Sequence, residues 1–216
     1  MFKDFYVTYQ NNSYIVTTKF KKGMRNIHFR FDGEKFLISC SPWTLKSQVI
    51  KGLDQYALTL IKKAEYIKNN QTNIKDDAFY LFGERLLTSE SGSLTIGDYI
   101  INYQNKNELE IKLQKYFLCY LKSRCLYFAN LMNLKMYNVK VKSMKTRFGS
   151  NSKRSKTWCF NFVLIHFSKE IIDSVIVHEL AHCYYFDHSN NFYRVVYQYC
   201  PNYQEYRKKL IRRIYR

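Results

Sequence analysis

Strand-like alternation of apolar and polar residues fills the first 40 positions, with Tyr14, Val16 and Thr18 in one stretch, Ile27, Phe29 and Phe31 in the next, and Phe36 and Ile38 in a third. Asp32-Gly33, between the last two, is a hairpin turn signal. At Ser41-Pro42-Trp43 the pattern changes to a helical period, serine suiting an N-cap and proline the first helical position. The spacing predicts a helix to about Lys68 that stops at Asn69-Asn70, with Val49, Leu53, Tyr56, Leu60 and Ala64 as its apolar stripe. Residues 80–87 predict a small hairpin around Gly83-Glu84, 89–97 an exposed loop, and 107–130 a second long helix carrying Leu109, Leu113, Phe117 and Leu121. Then come a strand over 138–146, a basic loop over 150–156 and a strand over 157–163. A nearly all-apolar helix follows, capped by Ser168, and after it a short helix through Tyr199. Pro201 breaks the chain before a last helix over 202–216, with Tyr203, Tyr206, Leu210 and Ile214 inward and Arg207, Lys208, Arg212 and Arg213 outward. This order of elements predicts an α+β fold rather than a parallel α/β sheet.

Within the apolar helix the sequence reads HELAH. His178 and His182, four positions apart, project from one helical face about one turn from each other, so two imidazole nitrogens can close on a single Zn²⁺ at roughly 2.0–2.1 Å. Glu179 lies beside them and can take a proton from a zinc-bound water without being a ligand, as on a metalloprotease helix. Random placement of the histidines and glutamates gives about 0.005 occurrences of this spacing in 216 residues. The bland alternative, a buried helix with hydrogen-bonded core histidines, must also accommodate Glu179 at no electrostatic cost. His188 is the candidate third ligand, provided that the helix ends near 185–187 and turns back. Glu205 is the alternative, which would make the site thermolysin-like. The histidine spacing is also that of metzincins, but Tyr185 stands at their glycine position and every methionine precedes residue 145.

The HELAH run, five further residues and then DHSNNF resemble the YgjP-like zinc metallopeptidases, relatives of the SprT-like and WLM zincins. Thr146-Arg147-Phe148-Gly149-Ser150 is similar to that family's TRWGSCS segment, with Phe148 in place of tryptophan and Asn151 where cysteine is common; Phe160-Asn161-Phe162 is similar to its LNW strand. The resemblance implies a zincin-like catalytic half over 105–216 behind a β-rich half over 1–104 with one long helix, the two forming either separate halves or one continuous domain. It further implies a zinc-dependent peptidase acting on peptide or protein substrates. One zinc per chain is expected on His178, His182 and His188, with Glu179 as general base. Arg147, Tyr185 and Tyr193 are candidates for the oxyanion or substrate, and the strand over 157–163 is either an edge that an extended peptide joins or a fully paired inner strand. A non-catalytic zinc protein remains the competing class, although it would have no use for Glu179.

Composition changes this picture little. Apolar residues at 46% suit a globular chain, no apolar run approaches the ~20 residues of a membrane span, and the first residues lack a secretory signal's apolar stretch, so a cytoplasmic location is expected. Six scattered cysteines without a CxxC pair read as reduced, buried small hydrophobes. A net charge of +18 suggests an anionic partner, and Lys153, Arg154 and Lys156 are the candidate contacts for weak, sequence-independent nucleic-acid binding, as in a nucleic-acid-associated protease. The abundance of lysine, tyrosine and phenylalanine beside few alanines and prolines also fits AT-rich coding, which tempers the charge argument.

Overall fold

A computed structural model describes residues 2–69, 72–144 and 146–216; Asn70, expected at a helix stop, and Lys145, expected in a strand, lie outside them. The chain divides into two compact units, 1–71 and 72–216. The sequence division at 104 falls inside the second unit, because Phe79, Leu81, Leu94, Ile101 and Tyr103 are buried in the same apolar cluster as the helices that follow.

In the first unit, β1 (Phe5–Tyr9), β2 (Asn12–Phe20), β3 (His28–Phe31) and β4 (Phe36–Cys40) form a sheet in the order β1-β2-β4-β3, with β2 and β4 parallel. The alternation seen in the sequence buries Val16, Phe36, Ile38 and Cys40 against α1 (Lys46–Asn69). This helix starts at Lys46 rather than at Pro42, and its buried stripe is Val49, Leu53, Ala57 and Ile61; Tyr56 is exposed. Spacing of four residues keeps these side chains on one face, and Gly52 lets that helix settle on the Phe29 ring, where any Cβ would collide.

The second unit opens with two hairpins, β5 (Ala78–Leu81) with β6 (Glu84–Leu87) and β7 (Gly92–Ile96) with β8 (Tyr99–Tyr103). Phe82 and Gly83 both have positive φ, as the two-residue turn of the first hairpin requires. Strand β7 occupies most of the segment expected to be a loop: Leu94 and Ile96 alternate toward the core across from Ile101 and Tyr99. The long helix α2 (Lys106–Leu131), capped by the Asn105 side chain on the Glu108 N–H, buries Leu109, Leu113, Phe117, Leu121 and Cys125 at four-residue spacings, with Phe128 three residues further on.

A three-stranded sheet, β10 (Gly149–Ser152), β11 (Thr157–Asn161) and β9 (Asn138–Lys142) in that order, carries the segment that borders the site. Strand β11 pairs with both neighbours and is therefore the inner strand; of the alternatives drawn from the sequence, the open edge is excluded, and among the described residues β10 and β9 are the two edges. A short 3-10 helix (Phe162–His166) leads into α3 (Lys169–Ala181), which is followed by α4 (Asn190–Tyr199) and α5 (Tyr203–Ile211). Helix α3 is buried nearly all round, as its uninterrupted apolar residues demand, and it packs against α2, α4, α5 and β10. Helix α5 ends at Ile211, five residues before the expected end. No helix among the described residues is long and apolar enough to cross a membrane.

Candidate metal centre

Helix α3 delivers the first two imidazoles. His178 sits in its last turn and His182 at its C-cap, where the chain departs through tight turns from Cys183, Tyr184 and Tyr185 back to Leu180 and Ala181. The helix therefore ends four residues earlier than the reading at 185 required. The Nδ1–H of His182 donates to the Tyr185 carbonyl at 3.0 Å, so its Nε2 keeps a free lone pair. Ser189 caps α4, accepting from the Phe192 N–H, and His188 just before it swings back over α3.

The three imidazoles converge. Their ligand-type atoms lie within 4.8 Å of one another, with ring centroids 5.0 Å apart for His178 and His182, 5.2 Å for His178 and His188, and 4.9 Å for His182 and His188. His178 Nε2 and His188 Nε2 face each other at 3.4 Å. Two nitrogens bound at roughly 2.0–2.1 Å to one tetrahedral ion stand about 3.3–3.4 Å apart, so this spacing is the one that a shared zinc would impose. Beneath them lies Phe192, fully buried, its ring 5.0, 4.6 and 5.0 Å from the three imidazoles. Its aromatic wedge explains why DHSNNF follows at this distance.

Electrostatics favour the neutral, metal-ready form. Burial, reinforced by His182, His188 and Arg207, drives the His178 pKa down to about 3, and burial also lowers that of His182. Glu179 is 6% exposed, and burial pushes its carboxyl up to about 8 against the opposing pull of Arg147. That carboxylate lies against the backbone of Gly149, where a Cβ would stand 2.6 Å from its Oε1 and 2.7 Å from its Cγ. Glycine is required at this point of β10 by close approach.

Two residues named in the sequence were not read as part of the centre. Tyr203, on α5, places its hydroxyl 2.8 Å from His178 Nδ1, with the two rings nearly parallel. Asn151, a departure from the family segment, donates from Nδ2 to the Glu179 carbonyl at 2.8 Å and to Cys183 Sγ at 3.3 Å. It thereby satisfies a carbonyl that the end of the helix leaves open. Asn161 fixes the loop before β10: its Nδ2 donates to the carbonyls of Met144 (2.6 Å) and Arg147 (2.9 Å), while its Oδ1 accepts from the Met144 and Val163 N–H groups.

Other sequence candidates fall into place around the centre. Two hollows, of about 500 and 290 Å³, open on it, and both are bordered by Arg147, Gly149, His178, Glu179 and His188. Tyr193 lines the larger one; the side chain of Tyr185 lines neither, and it is the Tyr185 main chain that contributes. Glu205 is exposed and paired with Lys209 at 3.0 Å, and it does not group with the three imidazoles as the thermolysin-like alternative would need. Lys153, Arg154 and Lys156 are exposed on the turn between β10 and β11, with the Lys153 ammonium 4.5 Å from the ring centre of Phe186. Arg207, read as outward, borders the larger hollow, and Arg213 is half-buried with its guanidinium 5.1 Å from the Phe148 ring centre.

Among solved structures, the chain is similar to the metallopeptidase zymogen jannalysin of Methanocaldococcus jannaschii, at 24% identity over 43% of this chain and 95% of that one, with a TM-score of 0.40. It is also similar to the metallopeptidase zymogen abylysin of Pyrococcus abyssi, at 20% identity over 48% of this chain and 96% of that one, with a TM-score of 0.37. Curated proteins give no significant match. The family described as YgjP-like, metallopeptidase domain, matches residues 25–213, which take in the later part of the first unit, nearly all of the second and every residue of the centre. The chain belongs to the YgjP-like metallopeptidase family and is a peptide hydrolase.

Proposed function

We propose that this chain is a zinc-dependent peptidase in which His178, His182 and His188 hold one zinc ion and Glu179 is the general base. The observation that carries this reading is the 3.4 Å approach of two imidazole nitrogens with a third beside them and a buried carboxylate at their flank. A donor set of three neutral imidazoles fits zinc with one position left open, the composition of a catalytic rather than a structural site.

When bound, zinc supplies Lewis acidity, polarising the scissile carbonyl and making an attacking water more acidic. The remaining work belongs to the side chains. Glu179 would take the proton from that water and return it to the leaving amine. Tyr203 accepts a hydrogen bond from His178 Nδ1–H, just as the Tyr185 carbonyl does from His182, so both imidazoles present Nε2 to the metal. Arg147, bordering both hollows, and Tyr193, in the larger one, are the side chains available to contact the substrate. The free side of β10 is the place for an extended peptide to add as a strand.

Metal analysis and a proteolysis assay test the reading together. Wild type should hold one zinc per chain, lost when any of the three histidines becomes alanine. Glu179→Gln should keep the zinc while hydrolysis falls by roughly 10²–10⁴-fold or more. Equal turnover by wild type and Glu179→Gln would sink the mechanism; full zinc in His188→Ala would sink the ligand set.

A further inference from the structure

The larger hollow, of about 500 Å³, is within the range of small-ligand pockets and has a divided character. Its inner wall is apolar: Val175 from α3 and Leu210 from α5 are each 6% exposed. Its rim carries two exposed arginines, Arg147 before β10 and Arg207 on α5. Neither guanidinium forms an ion pair among the described residues. The only acid on the wall is Glu179, pressed against Gly149 and assigned to proton transfer.

The arginines are held from two directions. Asn161 clamps the Arg147 carbonyl, and Arg207 lies four residues after Tyr203, whose hydroxyl meets His178. Tyr203, Arg207, Leu210 and Ile211 occupy positions i, i+4, i+7 and i+8, so one face of α5 supplies the tyrosine at the metal, the arginine and part of the apolar wall. A ligand filling this hollow meets apolar surface inside and, at the opening, two positive charges with no ion-pair partner among the described residues, carried on anchored stretches of backbone.

We propose that this hollow is a substrate pocket selective for a carboxylate on an apolar stem, recognised by Arg147 and Arg207 beside the scissile bond. Its assignment to substrate rests on the peptidase reading above; its selectivity for carboxylate does not. Two sources share that chemistry, a glutamate or aspartate side chain within the peptide and the α-carboxylate at a peptide's C-terminus. Arginine matches either with paired, charge-assisted hydrogen bonds.

Binding is measured first, without metal or turnover, by following protein NMR shifts during titration with 4-phenylbutyrate and with its neutral amide, 4-phenylbutyramide. The carboxylate should bind at least about tenfold more tightly. That ratio should collapse toward one in Arg207→Gln and fall in Arg147→Gln. Equal binding of the two, binding of neither, or a ratio untouched by both substitutions overturns the proposal. Zinc-loaded protein is then given C-terminally amidated peptides that differ only by Glu or Gln, and the Gln peptide with a free C-terminus. Faster cleavage beside Glu assigns the pocket to a side chain, and cleavage confined to the free C-terminus assigns it to the α-carboxylate; hydrolysis indifferent to both overturns its role in substrate choice. Selective 4-phenylbutyrate binding with no peptide cut would leave the carboxylate pocket standing and refute the peptidase reading instead.

Discussion

The two units differ in what they bury. The first has an apolar core of sheet and helix side chains, from Val16 to Ile61, whereas every buried polar side chain among the described residues belongs to the second: Lys106, Asn161, His166, Ser174 and Glu179. Four of these are answered by hydrogen bonds. Lys106 donates to the carbonyls of Asp76 and Thr88, Asn161 to those of Met144 and Arg147, Ser174 to that of Ile171, and His166 Nδ1 to that of Tyr80. No hydrogen bond among the described residues reaches the Glu179 carboxylate. Desolvated polar groups are costly unless partnered, and at Glu179 that cost falls beside the three imidazoles, where a perturbed carboxyl is of chemical use.

The contrast can be broken at its apolar end. Leu53, fully buried in the first unit, should cost about 3 kcal/mol of stability as Leu53→Ala, while zinc content stays at one per chain. Thermal unfolding alongside metal analysis checks it, and parallel loss of zinc would show that the first unit's packing governs the centre.

A comparable effect is expected from His166, with a pH signature that an apolar core lacks. Burial drives its pKa down to about 4, against about 6.5 unfolded, so between those values the unfolded chain binds more protons. Stability should hold above about pH 6.5, decline as pH falls, and have dropped by about 3 kcal/mol from this group below pH 4. Comparing denaturation midpoints of wild type and His166→Asn across that window isolates the contribution; identical slopes would deny that the ring is buried neutral.

Gly149→Ala sharpens the comparison at the unpartnered carboxylate. The added Cβ displaces Glu179, so kcat should fall by about tenfold or more while three-histidine zinc binding persists. Unchanged kcat would mean that the carboxylate has room to work elsewhere. Smallest is the effect at the exposed basic turn. Replacing Lys153, Arg154 and Lys156 with glutamine should shallow the salt dependence of weak duplex DNA binding by about 0.9 in log–log slope for each phosphate no longer neutralised. An unchanged slope would place the DNA on another face of the protein.

What the sequence could show was decided by range. His178, Glu179 and His182 were legible because helical spacing alone puts them together, and Ser168 stands at the start of their helix as expected, although its side chain makes no capping hydrogen bond. The strands of the first unit were legible from alternation, but the phase of α1 was not: Tyr56 and Leu60 fit a helical stripe as well as Ala57 and Ile61 do, and only the fold shows that the latter pair is buried while Tyr56 lies exposed beside Phe29. Strand β7 was hidden by serine and glycine, which carry weak strand signals. Tyr203 meets His178 across 25 residues, a pairing that no local periodicity reports. Arg207 was within reach, since it shares a face with Tyr203 and Leu210; its charge argued for solvent, and the hollow is where that face meets solvent.

The hydrogen bond between Tyr203 and His178 also sets an order in time. During synthesis HELAH emerges well before α5, so a nascent chain carries its imidazoles while the partner that holds His178 is still to be made. In the proposed site, the support behind His178 is completed only with α5, near the end of the family-matched segment at 213. A hydrolase assembled in that sequence spends its period of exposed, half-folded chain with its own cutting machinery incomplete.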